Sequence, residues 1–131
     1  MNPKTLLAVL ICVVAAWLAA CSPAPNTAAI TGETLAARIA AGDAPVILDV
    51  RGPDEFAAGH IPGAINIPHT AIVDRIGELD GLQNDEIVVH CVSGRRAGMA
   101  EETLVAAGFA GVRPLEGHMQ QWEADQHPID R

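Results

Sequence analysis

The stretch from Cys91 to Ala97 lies between a sequence pattern typical of a β-strand and one typical of an α-helix. The apolar run Ile87–Val89 before it predicts a buried β-strand. The stretch after it, Ala97–Ala107 followed by Gly108, predicts an α-helix that ends at a glycine. A strand that passes through a tight loop into a helix is typical of layered α/β folds with parallel sheets. This unit constrains the fold more than any other feature of the chain.

The loop within this unit combines a nucleophile with an anion-binding turn. Cys91 is expected at the carboxyl end of the strand, where the backbone N–H groups of a loop that opens a helix form a nest for an anion. The partial positive charge of these N–H groups also favours a thiolate, the form that a nucleophilic cysteine needs. Arg95 and Arg96 at a helix N-terminus oppose the macrodipole unless an anion lies between them. We therefore predict a cysteine nucleophile beside a bound anion.

Composition restricts the size of the fold and the class of partner. The 131 residues have room for one domain, half of them are apolar, and only 3% are aromatic, so the core should be aliphatic. The formal charge of −8 argues against nucleic acid as a partner. An arginine pair in an otherwise acidic chain is typical of an enzyme that acts on a small anion. Most of the acidic residues are interpreted as ordinary solvated surface.

Strand and helix patterns alternate along the rest of the chain. Further strands are predicted at residues 46–49, 64–67 and 112–115. Helices are predicted from Thr31 and over residues 53–58, 70–79 and 119–124. This alternation indicates an α/β layered fold with a largely parallel sheet, in which ligands bind at the carboxyl ends of the strands. Asp49–Arg51, Cys91 and Glu116–His118 should therefore converge.

Several separated motifs occur together in one order. They are Asp49-Val50-Arg51, Glu55-Phe56, the string G-H-I-P-G-A-I-N-I-P at residues 59–68, C-x-x-G-x-R at residues 91–96, and Leu115-Glu116-Gly117 with Trp122. On these motifs the chain from Ile30 to Ile129 resembles the rhodanese family of sulfurtransferases. The resemblance implies a rhodanese-like three-layer α/β fold, with a mostly parallel five-stranded sheet flanked by helices. The chain departs from the family pattern at His118, where a second glycine is usual.

The resemblance implies a double displacement through a covalent intermediate. Cys91 attacks the outer sulfur of a thiosulfate-like donor and becomes a persulfide, and a thiol or cyanide then accepts that sulfur. The amides of the loop, Val92 to Arg96, are expected to hold the charge of the persulfide. No metal or organic cofactor is required, and the five histidines show no metal-ligand spacing.

The side chains of the loop have separate expected roles. Gly94 allows a positive φ or a close approach to the sulfur. Arg95 is predicted to bind the anionic end of the donor, and Arg96 to brace the loop by hydrogen bonds; ordinary surface charge is the alternative for each. Ser93 either adds a hydroxyl donor or caps the following helix.

Residues outside the loop are expected to support it. Asp49 and Arg51 are predicted to form a structural ion pair beneath the loop, with a direct catalytic role as the less favoured reading, and Glu55 is interpreted in the same way. His118 is expected at the mouth of the site. His90 alternates away from Cys91 along the strand, so a Cys–His dyad through it is not predicted.

Two other functions remain open at this point. Protein tyrosine phosphatases have C-x-x-x-x-x-R, one residue longer than the loop from Cys91 to Arg96. A shorter ring of amides fits one sulfur atom better than the oxygens of a phosphate, so sulfur transfer is preferred to phosphatase activity. The other alternative is a module of the same fold that binds partners or carries persulfide sulfur in the cell envelope without turnover.

The N-terminus has the pattern of an export signal. Lys4 supplies a positive charge, and Leu6–Leu18 is an apolar run too short for an ordinary membrane span. The next residues, Ala19-Ala20-Cys21, complete a resemblance to the lipobox of bacterial lipoproteins, in which the cysteine is acylated and becomes the new N-terminus. We predict a lipoprotein signal peptide at residues 1–20, lipid on Cys21, a flexible tether at residues 21–29 and the rhodanese-like domain at residues 30–131.

This resemblance implies a membrane-anchored protein of the bacterial cell envelope that faces the periplasm. Ser22 after the cysteine accompanies outer-membrane sorting in many lipoproteins, but the choice of membrane stays open, as does the oligomeric state. A plain secretory signal is the alternative. Of the three cysteines, only Cys91 keeps a free thiol after lipoprotein processing. A lone thiol in an oxidising compartment is either buried or used.

Overall fold

The computed structural model of the chain describes residues 26–131. The predicted signal peptide, Cys21 and the first part of the predicted tether lie outside the described residues. Within residues 26–131, no helix is both long enough and apolar enough to span a bilayer. Ala28 and Ala29, at the end of the predicted tether, accept hydrogen bonds from the Arg113 guanidinium, which attaches them to the domain.

The secondary structure alternates between strands and helices. The strands are β1 (Val46–Asp49), β2 (Ile65–Asn66), β3 (Glu86–His90) and β4 (Gly111–Pro114). The helices are α1 (Gly32–Ala40), α2 (Pro53–Ala58), α3 (Ile72–Arg75), α4 (Arg95–Ala106) and α5 (His118–Ala124). The prediction of one continuous helix over residues 70–79 is wrong. The α-helical part of this segment, α3, is a single turn that lies between two 3₁₀ turns, His69–Ala71 and Ile76–Leu79.

The strands form one parallel sheet in the order β2-β1-β3-β4. The α/β fold with a parallel sheet flanked by helices is confirmed, but the described residues form four strands rather than the predicted five. At the β4 edge, Ile30 makes only a single parallel bridge to Leu115. The pairing stops there because the Thr31 side chain accepts the Thr34 N–H at 3.1 Å and caps α1, so the chain turns into a helix.

Two apolar clusters cover the two faces of the sheet. Because side chains alternate along a strand, Leu48 and Val89 pack on one face with residues of α3 and α4. Ile47 and Val88 pack on the other face with residues of α1 and α5. The predicted aliphatic core is present, and Cys91 belongs to the cluster on the α4 side. The fold therefore sets the start of α4 over the end of β3.

Candidate active site

The carboxyl ends of the central strands bring the predicted segments together. Asp49, the last residue of β1, lies opposite His90, the last residue of β3. Cys91 follows directly, and its carbonyl accepts the Met119 N–H at 3.0 Å, so the start of α5 lies against the loop. The parallel register thus places Asp49, Cys91 and His118 at one edge of the sheet, as the positions of these residues at strand ends predicted.

Cys91 lies at the bottom of a tight loop. It is buried, and its Sγ accepts the Gly94 N–H at 3.0 Å. Gly94 has φ +118°, which glycine adopts without strain, and it is the N-cap of α4. The first-turn amides of an α-helix have no acceptor within the helix. The loop therefore offers the sulfur the Gly94 N–H and the positive end of a helix twelve residues long.

The two arginines of the loop have different surroundings. The guanidinium of Arg96 donates to both carboxylate oxygens of Glu55, at 2.7 and 2.9 Å. This pair lowers the pKa of Glu55 to about 2, although partial burial opposes the shift. Glu55 also accepts the Gly52 N–H at 2.9 Å, so the pair ties the start of α4 to the start of α2. Arg95 and Ser93 are both exposed. The N-cap of α4 is Gly94, so Ser93 does not cap this helix.

A buried ion pair lies at the carboxyl end of β1. The Asp49 carboxylate accepts from the Arg51 guanidinium at 2.7–3.0 Å and from the Arg51 backbone N–H at 3.0 Å. The Arg51 guanidinium also donates to the Gly59 carbonyl at 2.7 Å. The Asp49 side chain is fully buried and that of Arg51 is 6% exposed. The pair therefore holds β1 to the chain beyond α2, and neither side chain makes a hydrogen bond to the Cys91 sulfur.

His90 is buried next to this ion pair. Its Nε2 lies 3.8 Å from an Asp49 carboxylate oxygen, and among the described residues this nitrogen has no hydrogen-bond partner. Burial lowers the pKa of His90 to about 4, against the opposing effect of Asp49. The neutral ring faces Asp49 rather than the thiol, in agreement with the alternation along the strand.

Two contacts of the site were not predicted from the sequence. The Asn66 side-chain amide donates to the Asp49 and Arg51 carbonyls, both at 3.0 Å, and so holds the chain just beneath the loop. A polar residue in a short apolar strand between prolines was the available signal. The His118 ring lies against the loop, with Nδ1 3.4 Å from the Cys91 backbone nitrogen. Its placement at the mouth was expected, but this contact was not.

No group of three or more metal-ligating side chains occurs among residues 26–131. An apolar cleft lies elsewhere, between α1 and the C-terminal segment, and it is lined by Ala36, Ile39, Ala40, Pro62, Trp122 and Pro128. None of these residues ionises or acts as a nucleophile, so the cleft has no chemistry of its own. Among the described residues, the Cys91 loop is therefore the candidate for the reactive site.

Comparison with known proteins identifies similar domains. A family model described as a rhodanese-like domain matches residues 31–125. A protein of Allochromatium vinosum named Sulfurtransferase is 32% identical over 100 residues, which cover 76% of this chain and 92% of that protein. Thiosulfate sulfurtransferase PspE of Escherichia coli is 37% identical over 70 residues, which cover 53% of this chain and 67% of that protein. The chain spans only 44%, 51% and 40% of three other curated relatives.

Solved structures show the same architecture. The crystal structure of the Alr3790 protein from Anabaena sp. superposes with a TM-score of 0.70 at 30% sequence identity, and the match covers 77% of this chain and 80% of that one. The range that the family model matches, residues 31–125, includes the strands and helices that place the Cys91 loop.

Proposed function

Because this chain belongs to the rhodanese-like domain family, we propose that it is a sulfurtransferase that moves sulfane sulfur from a thiosulfate-like donor to a thiol or cyanide. The observation that carries the proposal is Cys91, whose Sγ faces the Gly94 N–H at the N-terminus of α4. Relatives named Sulfurtransferase and Thiosulfate sulfurtransferase support this reaction class. In this proposal the protein works without a metal or an organic cofactor.

The reaction proceeds in two displacements. In the first, the Cys91 thiolate attacks the outer sulfur of thiosulfate, a new S–S bond forms, and the old S–S bond breaks as sulfite leaves with its electron pair. In the second, an acceptor thiolate or cyanide attacks the outer sulfur of the persulfide, and the bond to Sγ breaks to regenerate the Cys91 thiolate. A thiol acceptor releases its proton to the solvent. Both displacements develop negative charge beside the amides of the loop, where preorganised donors are most effective.

The surrounding ion pairs keep this loop in place during both steps. Arg96 and Glu55 join α4 to α2, so that the first turn of α4 stays over the sulfur. Asp49 and Arg51 lie beneath, outside the path of the donor. The loop has four residues between Cys91 and Arg96, a ring that we propose fits a persulfide and excludes a phosphoryl group.

Mass spectrometry of the full-length protein after incubation with thiosulfate tests this function. One added sulfur atom is expected on the peptide that contains Cys91, and cyanide should remove it and form thiocyanate over many turnovers. Loading that only a dedicated partner protein can discharge would instead indicate a carrier. Absence of loading, combined with Cys91-dependent hydrolysis of an aryl phosphate, would assign the site to a phosphatase.

Replacement of Arg95 tests how the donor binds. Arg95 is exposed at the mouth, so its charge should attract the anionic end of thiosulfate without changing the reacting atoms. Arg95→Ala should raise KM for thiosulfate by about fivefold, the upper range for an exposed ion pair, and leave kcat nearly unchanged. Arg95→Lys keeps the charge and is the matched control, with KM close to that of the wild type. An unchanged KM in Arg95→Ala would make Arg95 ordinary surface charge.

We also propose that the protein is a lipoprotein of the bacterial cell envelope, on the pattern that ends in Ala19-Ala20-Cys21. Two or more acyl chains on Cys21 would anchor it stably, whereas a single chain binds a membrane only marginally. Labelled fatty acid should enter the wild-type protein and Cys12→Ser, and should be absent from Cys21→Ala, which should also stay unprocessed. A freely soluble native protein that starts at another residue would contradict lipid anchoring.

A further inference from the structure

His118 begins α5 in a backbone conformation that costs free energy. Its φ is +52°, in the left-handed region that residues with a Cβ seldom adopt. Among the described residues the other such case is Gln126, which follows the end of α5, where the chain leaves a helix. His118 stands instead at the start of a helix, where a glycine would relieve the strain. A costly conformation beside a reactive loop suggests that the imidazole is needed there.

The imidazole lies against both residues, Cys91 and Gly94, that form the hydrogen bond to the sulfur. Its Nδ1 accepts the Cys91 N–H at 3.4 Å, a long hydrogen bond compared with the usual range of about 2.7–3.2 Å. On the other side of the ring, Nε2 lies so close to Gly94 that a Cβ at Gly94 would be only 2.8 Å away. The ring therefore packs against the glycine whose N–H donates to Sγ, and it also binds the backbone of the nucleophile.

The ring is suited to accept this hydrogen bond. A neutral imidazole has one acceptor and one donor nitrogen, so acceptance at Nδ1 places the proton on Nε2. His118 is half-buried, and burial lowers its pKa, which favours the neutral ring. The geometry and the charge state thus agree on an imidazole that accepts from Cys91.

The backbone that follows His118 provides two further bonds to the same loop. The Met119 N–H donates to the Cys91 carbonyl at 3.0 Å, and the Gln120 N–H donates to the Val92 carbonyl at 3.1 Å. Both donors are backbone N–H groups that follow position 118, so a glycine at that position would keep the two bonds. The imidazole adds what the backbone cannot, a contact to the Cys91 N–H and to the Gly94 face of the loop.

We propose that His118 is a positioning residue for the persulfide loop. By binding the Cys91 N–H and supporting Gly94, it fixes the thiolate against the N–H that stabilises it in both displacements. This inference rests on the proposed sulfurtransferase function, and it assigns a role to the position where the chain departs from the family pattern. His118 acts through Cys91 and Gly94 rather than on the substrate.

A set of variants of the full-length protein tests this role. His118→Gly removes the ring and the backbone strain, so its urea midpoint should equal or exceed that of the wild type. Its kcat for thiosulfate:cyanide transfer should nevertheless fall by about tenfold, since a ~1 Å misplacement of reacting atoms costs up to ~100-fold. KM for thiosulfate should stay the same. A merely structural role would lower the urea midpoint instead.

His118→Asn should restore most of the lost kcat. Asparagine tolerates left-handed conformations, and its Oδ1 takes the place of Nδ1 as an acceptor for the Cys91 N–H. The matched control is His127→Asn, at a half-buried histidine that packs on Trp122, away from the loop. Its kcat should equal that of the wild type.

The outcomes separate this inference from the proposed function. If wild-type protein accepts no sulfur from thiosulfate, the sulfurtransferase proposal itself fails. If the wild type turns over and His118→Gly keeps full kcat, the positioning role of His118 is overturned. The role is also overturned if His118→Asn is no more active than His118→Gly, because the acceptor at Nδ1 would then have no effect.

Discussion

Replacing Cys91 with serine should abolish sulfur transfer and leave the fold intact. A serine hydroxyl is not ionised at neutral pH and cannot form a persulfide, so the covalent intermediate is lost. The rate of thiocyanate formation should fall by at least about 10³-fold, as expected for removal of a nucleophile. The smaller hydroxyl still fits the buried position and still accepts the Gly94 N–H, so the free energy of unfolding should change by less than about 1 kcal/mol.

The matched control is Cys12→Ser, which makes the same chemical change at a cysteine that the predicted processing removes. It should transfer sulfur at the wild-type rate. Both variants and the wild type are compared after loading with thiosulfate, by thiocyanate formation and by the urea dependence of unfolding. If Cys91→Ser keeps more than a few per cent of the activity, the nucleophile lies elsewhere, and Cys21 becomes the thiol to test.

The position of Cys91 was predictable because two rules of parallel α/β folds determine it. An apolar strand, a short loop with glycine and a helix that ends at a glycine fix Cys91 at the carboxyl end of β3. Parallel strands place their carboxyl ends at one edge, so Asp49 follows once β1 is identified beside β3. The first rule depends on neighbouring residues, and the second depends on the parallel arrangement of the strands. A single sequence carries the information for both.

Features that depend on exact three-dimensional placement were not predictable. Residues 70–79 have apolar side chains at helical spacing, yet Val73 is 71% exposed and Ile72 is fully buried. The spacing does not reveal that two 3₁₀ turns interrupt the helix and rotate these side chains relative to the core. Likewise, the helix start at Thr31 was predicted, but the five-stranded sheet implied by the family resemblance did not anticipate that this helix leaves Ile30 with a single bridge to Leu115.

The same limit applies to side-chain partners at the site. Arg96 and Glu55 are 41 positions apart, and the sequence indicated support for the loop without pairing these two residues. The contact between His118 and the Cys91 backbone depends on a left-handed residue at the start of α5. Neither hydrophobic periodicity nor motif spacing reports such a conformation, although the departure from the family pattern at position 118 marked where to look.

The second large effect is expected from Asp49→Asn, which leaves the shape of the side chain and removes its charge. The Arg51 guanidinium would then remain buried without a counter-ion, and breaking one side of a buried pair costs about 3–5 kcal/mol. This is a large fraction of the ~5–15 kcal/mol that stabilises an ordinary domain. The urea midpoint at pH 7 should fall accordingly. Glu78→Gln, the same kind of change in the exposed Arg75–Glu78 pair, should leave the urea midpoint close to that of the wild type, because solvent screens an exposed ion pair.

A double replacement identifies the origin of that cost. Asp49→Leu combined with Arg51→Met removes both charges and fills a similar volume, so no buried charge is left without a partner. If the uncompensated guanidinium dominates, the double variant should be more stable than Asp49→Asn, although the Gly59 carbonyl loses its donor. If the double variant is equally unstable, the hydrogen bonds that the Asp49 carboxylate accepts, rather than an uncompensated charge, account for the loss. In either case, Asp49→Asn that remains folded at low temperature should keep kcat, because neither side chain makes a hydrogen bond to the sulfur. A large fall in kcat would give Asp49 a direct role in transfer.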